Sequence, residues 1–80
     1  MWTLLFMKKQ KRDARAILAS NVQTLRGGLG VSQEKLGEMA GLHRTYISQL
    51  ERQRLNITLD SLEKLADVLE VRVFELLVDQ

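Results

Sequence analysis

Arg44, Thr45, Ser48 and Gln49 are the residues whose types and spacing carry the clearest chemistry in this chain. At the 100° step of an α-helix they project to one side, while Ile47 and Leu50 point to the other. Each has a directional hydrogen-bonding group on a side chain of short or intermediate length. An arginine can fork onto O6 and N7 of guanine, and a glutamine can pair with N6 and N7 of adenine. A merely solvated helix face more often carries Glu and Lys at such positions. His43 precedes the four, and Arg52, Gln53, Arg54 and Asn56 follow them in a loop. Loop amides, arginines and an asparagine suit the phosphates that flank a groove. Gln33, at the start of a preceding helix whose amino end is partly positive, is placed likewise. The expected phosphate set is therefore Gln33, His43, Tyr46, Arg52, Arg54 and Asn56. Tyr46 has two readings: a ring between helices with its hydroxyl on a phosphate, or a cap over the core.

No catalytic constellation competes with this face. There is no Ser/His/Asp arrangement with a plausible elbow, no phosphate-cradling glycine loop after a strand, and no strand pattern. The chain has no cysteine, which removes disulfide and thiolate chemistry, and its lone histidine, His43, cannot build a metal site without carboxylates. No enzymatic activity, metal or cofactor is expected. Eighty residues, 45% hydrophobic and 28% charged, allow one globular domain with one modest core. The net charge of +2 is unevenly placed. Residues 1–54 carry ten basic and four acidic side chains, a net of +6, and residues 55–80 carry two and six, a net of −4. A basic front and an acidic back point to one face for a polyanion and one turned away from it.

The elements that must position these residues are helices. Leu36 and Ala40 are four apart and share a helix face, as Ile47 and Leu50 do at a spacing of three. Gly41 between them can take the left-handed conformation that ends a helix. Gly37 sits inside the first of these helices at about 1 kcal/mol against alanine, which points to another helix crossing close by. Ser32 is placed to cap that helix, with Glu34 one position early for a capping box. Upstream, Ala14, Leu18, Val22 and Leu25 give a longer helix one apolar stripe, ended by Gly27, Gly28 and Gly30. Downstream, Thr58 caps a helix with Asp60 in its first turn and Leu59, Leu62, Ala66 and Leu69 as its inner stripe, widened by Leu65. Val71, Phe74 and Leu77 then align, with Val73, Leu76 and Val78 on other sides. That exceeds what one short helix buries in a small monomer, so Phe74 and Leu77 are assigned to a dimer interface.

The stretches SQEKLGEMAGLHRTYISQLER and NITLDSLEKLADVLEV resemble the DNA-binding helix-turn-helix of the phage repressor and Cro family. RTYISQLER followed by NITLDSL resembles in particular the controller proteins of restriction–modification systems. The resemblance spans roughly Leu18 to Leu77, with the motif at 33–52. It implies an all-α, compact five-helix bundle of the lambda-repressor-like type. It also implies a homodimer on a pseudo-palindromic DNA operator, one recognition helix in each major groove, with Arg44, Thr45, Ser48 and Gln49 reading bases. The resemblance places an arginine and a glutamate at Arg26 and Glu51, paired across helices. Physically, an acid among Arg44, Arg52 and Arg54 is better explained as turned inward and neutralised. The family usually has proline where Ile57 stands, glycine where Glu70 stands and a small capping residue where Arg72 stands. Glu70 would be strained in a left-handed position, so a different helix end is expected there, and fraying is expected at Arg72.

A regulator of transcription is the function this implies, autoregulatory and responsive to its own concentration. No small-molecule effector is expected, and RNA polymerase is a further candidate partner. The competing reading is an antitoxin-like chain whose main partner is another protein, bound through the apolar carboxy-terminal face. Residues 14–80 form the expected domain, and residues 1–13 a basic and apolar tail or helix start. Met1–Met7 is too short to span a bilayer, and its basic cluster follows the apolar run, the wrong order for a signal peptide. A cytoplasmic protein without membrane contact is expected. The tail is either loosely packed or contributes Trp2, Leu5 and Phe6 to packing or dimerisation, and Met7 is an alternative start. Lys8 to Arg15 is either a solvated helix start or a phosphate contact.

Overall fold

Asp13 accepts a 2.9 Å hydrogen bond from the Ala16 amide and so starts α1, Ala14–Leu29. The computed structural model describes residues 13–79, which are helical with no strand among them. After α1 come α2 (Gln33–Ala40), α3 (Arg44–Glu51), α4 (Leu59–Leu69) and a 3₁₀ helix, η1 (Val73–Leu77). The readings placed on residues 1–12, including Trp2, Leu5, Phe6 and most of the basic cluster, lie outside the described residues. Where a fifth α-helix was expected there is η1, only five residues long. Val73 opens it and Val78 follows it, and β-branched residues weaken α-helix formation while short segments favour the 3₁₀ geometry.

One core receives side chains from every element: Leu18 and Val22 of α1, Leu36 and Ala40 of α2, Ile47 and Leu50 of α3, Leu62, Leu65, Ala66 and Leu69 of α4, and Leu76 of η1. Val22, Leu36, Ile47, Leu65 and Leu76 are the largest fully buried members. Truncating such a side chain to alanine costs about 2–5 kcal/mol. The α1 stripe is rotated from its expected position: Ala14 is exposed, whereas Ile17, Ala19 and Asn21 join Leu18 and Val22 inside. Leu59, expected in the inner stripe of α4, is 75% exposed. As the first residue of its helix it lies beside the cap, before the stripe turns inward.

Two helix ends also differ from expectation. α1 runs through Gly27 and Gly28 and stops at Gly30. Glu70 does take the left-handed cap of α4, at φ 60 and ψ 43, and its amide reaches the carbonyls of Ala66 and Asp67. The Val71 amide adds a 3.0 Å bond to the Ala66 carbonyl, so closure of the helix end outweighs the backbone strain at Glu70. Nor is Arg72 left to fray: its amide donates to the Glu75 carboxylate at 2.8 Å, which holds the first turn of η1.

Candidate nucleic-acid interface

The candidate face is built on α2 and α3, and their geometry begins with caps. Ser32 Oγ accepts from the Lys35 amide at 3.0 Å to start α2. Gly41, at φ 71 and ψ 32, ends it, and the Leu42 amide closes back on the Gly37 carbonyl at 2.8 Å. A Cβ on Gly37 would lie 2.6 Å from the Leu42 carbonyl oxygen and 3.4 Å from the Arg44 amide nitrogen. What crowds Gly37 is thus the turn itself and the first residue of α3, where a crossing helix was expected. Any side chain here would push α3 away from α2. His43 then caps α3, its Nδ1 accepting from the Thr45 amide at 3.0 Å. The neutral ring in this arrangement carries its proton on Nε2, which leaves an N–H donor for an outside acceptor.

Within α3, Ile47, Leu50 and Glu51 are buried and Arg44, Thr45 and Gln49 are exposed, while Ser48 is half-buried. Arg52, Gln53 and Arg54 follow, all exposed. Gln53 adopts φ 63, and the Arg54 amide reaches back to the Gln49 carbonyl at 2.9 Å. The guanidinium groups of Arg44, Arg52 and Arg54 therefore stand at both ends of one short helix.

Glu51 holds that helix in place. Its side chain is 5% exposed, and Oε2 lies 2.7 Å from Arg26 Nε while Oε1 lies 3.1 Å from Arg26 Nη2. The pair is two-pronged, the geometry that suits a planar guanidinium. Arg26 also donates Nη1 to the Val31 carbonyl at 3.1 Å, and Gln23 of α1 donates to the Glu51 backbone carbonyl at 3.2 Å. The hydrogen bonds to Glu51 hold the Arg26 guanidinium above its ordinary pKa, against the opposing effect of burial. Glu51 thus presents no free negative charge to a polyanion.

Three of the residues assigned to phosphates are engaged elsewhere. Gln33 donates Nε2 to Glu51 Oε1 at 2.8 Å, joining the network behind α3. Asn56 accepts from the Arg15 guanidinium, which ties the loop after α3 to the start of α1. Tyr46 is half-buried, and its hydroxyl is buried without a hydrogen-bond partner among the described residues. It packs over the core, and the reading with the hydroxyl on a phosphate fails in this arrangement because the oxygen faces inward. His43, Arg52 and Arg54 remain exposed on the flanks. Across the molecule, Phe74 and Leu77 are 60% and 43% exposed, with Leu76 turned fully inside between them. Asn21, a polar residue on the apolar side of α1, has no counterpart in the sequence reading. It is buried and donates to carbonyls of the carboxy-terminal segment.

The comparisons with known proteins agree with this geometry. A helix-turn-helix family model matches residues 22–76. The chain belongs to the Cro/C1-type helix-turn-helix family. A Neisseria meningitidis protein described as a hypothetical transcription factor is 46% identical over 68 residues, covering 85% of this chain. The match spans 64% of that protein, slightly less than two thirds of its length. A crystal structure of the Neisseria factor superposes with a TM-score of 0.81, covering 84% of this chain and 77% of the other. The control protein C.SmaI of Serratia marcescens is 47% identical over 68 residues, 85% of this chain and 81% of that protein. The restriction–modification controller C.Esp1396I is 34% identical with a TM-score of 0.74, covering 84% and 90% of the two chains. As a helix-turn-helix protein among such relatives, the chain is a DNA-binding regulator of transcription. No helix among the described residues is long and apolar enough to cross a membrane, and none of their His, Asp and Glu side chains form a metal-holding cluster.

Proposed function

We propose that the protein is a homodimeric controller that binds a pseudo-palindromic operator and regulates its own transcription through its concentration. The observation that carries this reading is the exposed row Arg44, Thr45 and Gln49 on a helix fixed from behind by Glu51. Arg44 and Gln49 supply the bidentate groups, with Thr45 and Ser48 beside them, while His43, Arg52 and Arg54 hold the flanking phosphates. Structures of the controller C.Esp1396I include variants at three consecutive residues: an arginine, a threonine and a tyrosine. The same triplet occurs once here, as Arg44-Thr45-Tyr46, and supports assigning the readout to this turn of α3. The exposed Phe74 and Leu77 belong to a two-fold interface, which spaces the half-sites about 34–36 Å apart or a multiple of that. The protein works in the cytoplasm, by binding and not by catalysis, without a small-molecule effector, and RNA polymerase is the partner where it activates.

Selection from random DNA tests this reading directly. The expected result is one enriched motif with two related half-sites, its preference relaxed at one base position of each half-site on Arg44→Ala. Recovery of unenriched DNA, together with tight capture of a single protein partner, would sink it in favour of the antitoxin-like alternative.

A further inference from the structure

The carboxy-terminal segment is too short to fix its own direction. η1 spans Val73–Leu77, and its last carbonyls have no helical partner further along the chain. Leu76 anchors it apolarly, fully buried among α1 and α4 side chains. With half-buried Val73 packed against the same core, these apolar contacts set the depth of the segment but bond none of its end carbonyls, and so hold its rotation loosely. Rotation is what decides whether Phe74 and Leu77 face outward together.

Asn21 supplies the missing constraint. It lies on the buried side of α1, 8% exposed, with its Nδ2 2.8 Å from the Leu76 carbonyl and 3.0 Å from the Val78 carbonyl. The Glu75 carbonyl lies at 3.5 Å from the same nitrogen. An amide nitrogen has two protons, which match the two near carbonyls. α1 thus caps the end of η1 from the side, and the two satisfied carbonyls fix the rotation of the segment between Phe74 and Val78.

We propose that Asn21 is a positioning residue for dimerisation: it touches neither DNA nor the partner copy, but orients the face on which the two copies meet. This rests on the reading of Phe74 and Leu77 as the two-fold interface. Asn21→Leu keeps the volume and removes the donor, and Asn21→Asp sets a carboxylate against the same carbonyls. Both are compared with the wild type and with Phe74→Glu by sedimentation equilibrium, and by titration onto a full operator and onto a single half-site. In folded Asn21→Leu the dimer dissociation constant should rise roughly tenfold or more, because the segment that carries Phe74 and Leu77 is no longer held in the orientation its partner meets. Full-operator affinity should fall with it, while half-site affinity stays within about twofold. Asn21→Asp should act in the same direction and further. A folded Asn21→Leu that dimerises like the wild type overturns the proposal. If neither variant folds, Asn21 is a determinant of the fold alone, and the proposal also fails. A dimeric Phe74→Glu removes the interface reading itself, whereas a monomeric Phe74→Glu beside a wild-type-like Asn21→Leu removes only the role of Asn21.

Discussion

α1 holds the two working surfaces by different chemistry. Near its end, Arg26 and Gln23 grip Glu51 of α3 through side-chain and backbone contacts, with Gln33 of α2 as a third arm. Little more than a turn earlier, Asn21 holds η1 through one neutral amide. The recognition side is therefore locked by a charged hub with donors from two helices. The assembly side is held to α1 by that neutral amide and to the core by the buried Leu76 and the half-buried Val73. A surface that must dock into a groove of fixed shape gains from the stiffer mount. A surface that meets a copy of itself can complete its order on contact. The difference also separates two failures: loss of the hub should damage each half-site contact, and loss of the amide only their combination.

Glu51→Gln tests the stiffer mount and carries the largest expected effect. Breaking a buried ion pair by removing one partner costs about 3–5 kcal/mol. The Arg26 side chain is 23% exposed, so water softens the loss and about 3 kcal/mol is expected. For a chain of this size that lowers the melting temperature by more than about 10 °C. Half-site and full-operator affinities should fall in step. Unchanged stability with tighter DNA binding would show Glu51 to be an exposed repulsive charge, and the contrast between the two mounts would collapse.

Substitutions on the outer face of α3 sharpen the comparison without touching either mount. Arg44→Ala should relax the preference at one base position, by about 1–3 kcal/mol against the correct base. Arg54→Ala should weaken all sequences alike and flatten the salt dependence by roughly one unit of log–log slope. The two roles are exchanged if Arg44→Ala lowers every affinity equally and leaves the preferred sequence as it was. Melting temperatures should stay close to that of the wild type in both cases. Tyr46→Phe is expected to move stability the other way. A buried hydroxyl without a partner is destabilising by about 1–3 kcal/mol, so its removal should be neutral or raise the melting temperature. A loss of operator affinity in that variant would instead mean that the hydroxyl turns outward on DNA.

The recognition side was the more legible in sequence, for a physical reason. Its signals are local: Ser32 before α2, Gly41 in the turn, and Ile47 and Leu50 three apart are each read within a few residues. The inward turn of Glu51 followed from its odd charge among arginines, and its partner Arg26 from the family resemblance. The assembly side depends on a contact between residues 55 positions apart, Asn21 and Leu76. Periodicity reports which side of a helix is buried and says nothing of what a buried amide will meet. Its only trace is a polar residue next to Val22 on the α1 stripe. Gln33 and Asn56 show the same limit, since each has a partner within the fold that local sequence does not announce. Their types suit phosphates, but the fold sets Glu51 and Arg15 within closer reach.

Each side also carries one left-handed residue that is not glycine, and the pair offers the finest test of the comparison. Gln53 closes α3 at φ 63 and Glu70 closes α4 at φ 60. A side chain in this conformation costs about 1 kcal/mol or somewhat more, which glycine avoids. Glycine also has more freedom to lose on folding, about 0.5–1 kcal/mol, so the net gain from either substitution is small, on the order of 0.5 kcal/mol. Glu70→Gly relieves strain on the assembly side, away from the row of Arg44, Thr45 and Gln49. It should raise the melting temperature slightly and leave half-site affinity unchanged. Gln53→Gly should raise it by a similar amount but remove an amide that stands between Arg52 and Arg54, so half-site affinity should fall by less than about 1 kcal/mol. Thermal unfolding and half-site titration of the two variants together decide the matter. Equal stabilisation with unequal DNA binding places the same backbone device in two roles, a helix stop behind α4 and a helix stop that also presents a side chain behind α3. Equal effects on both measurements would mean that Gln53, like Glu70, serves only to end its helix.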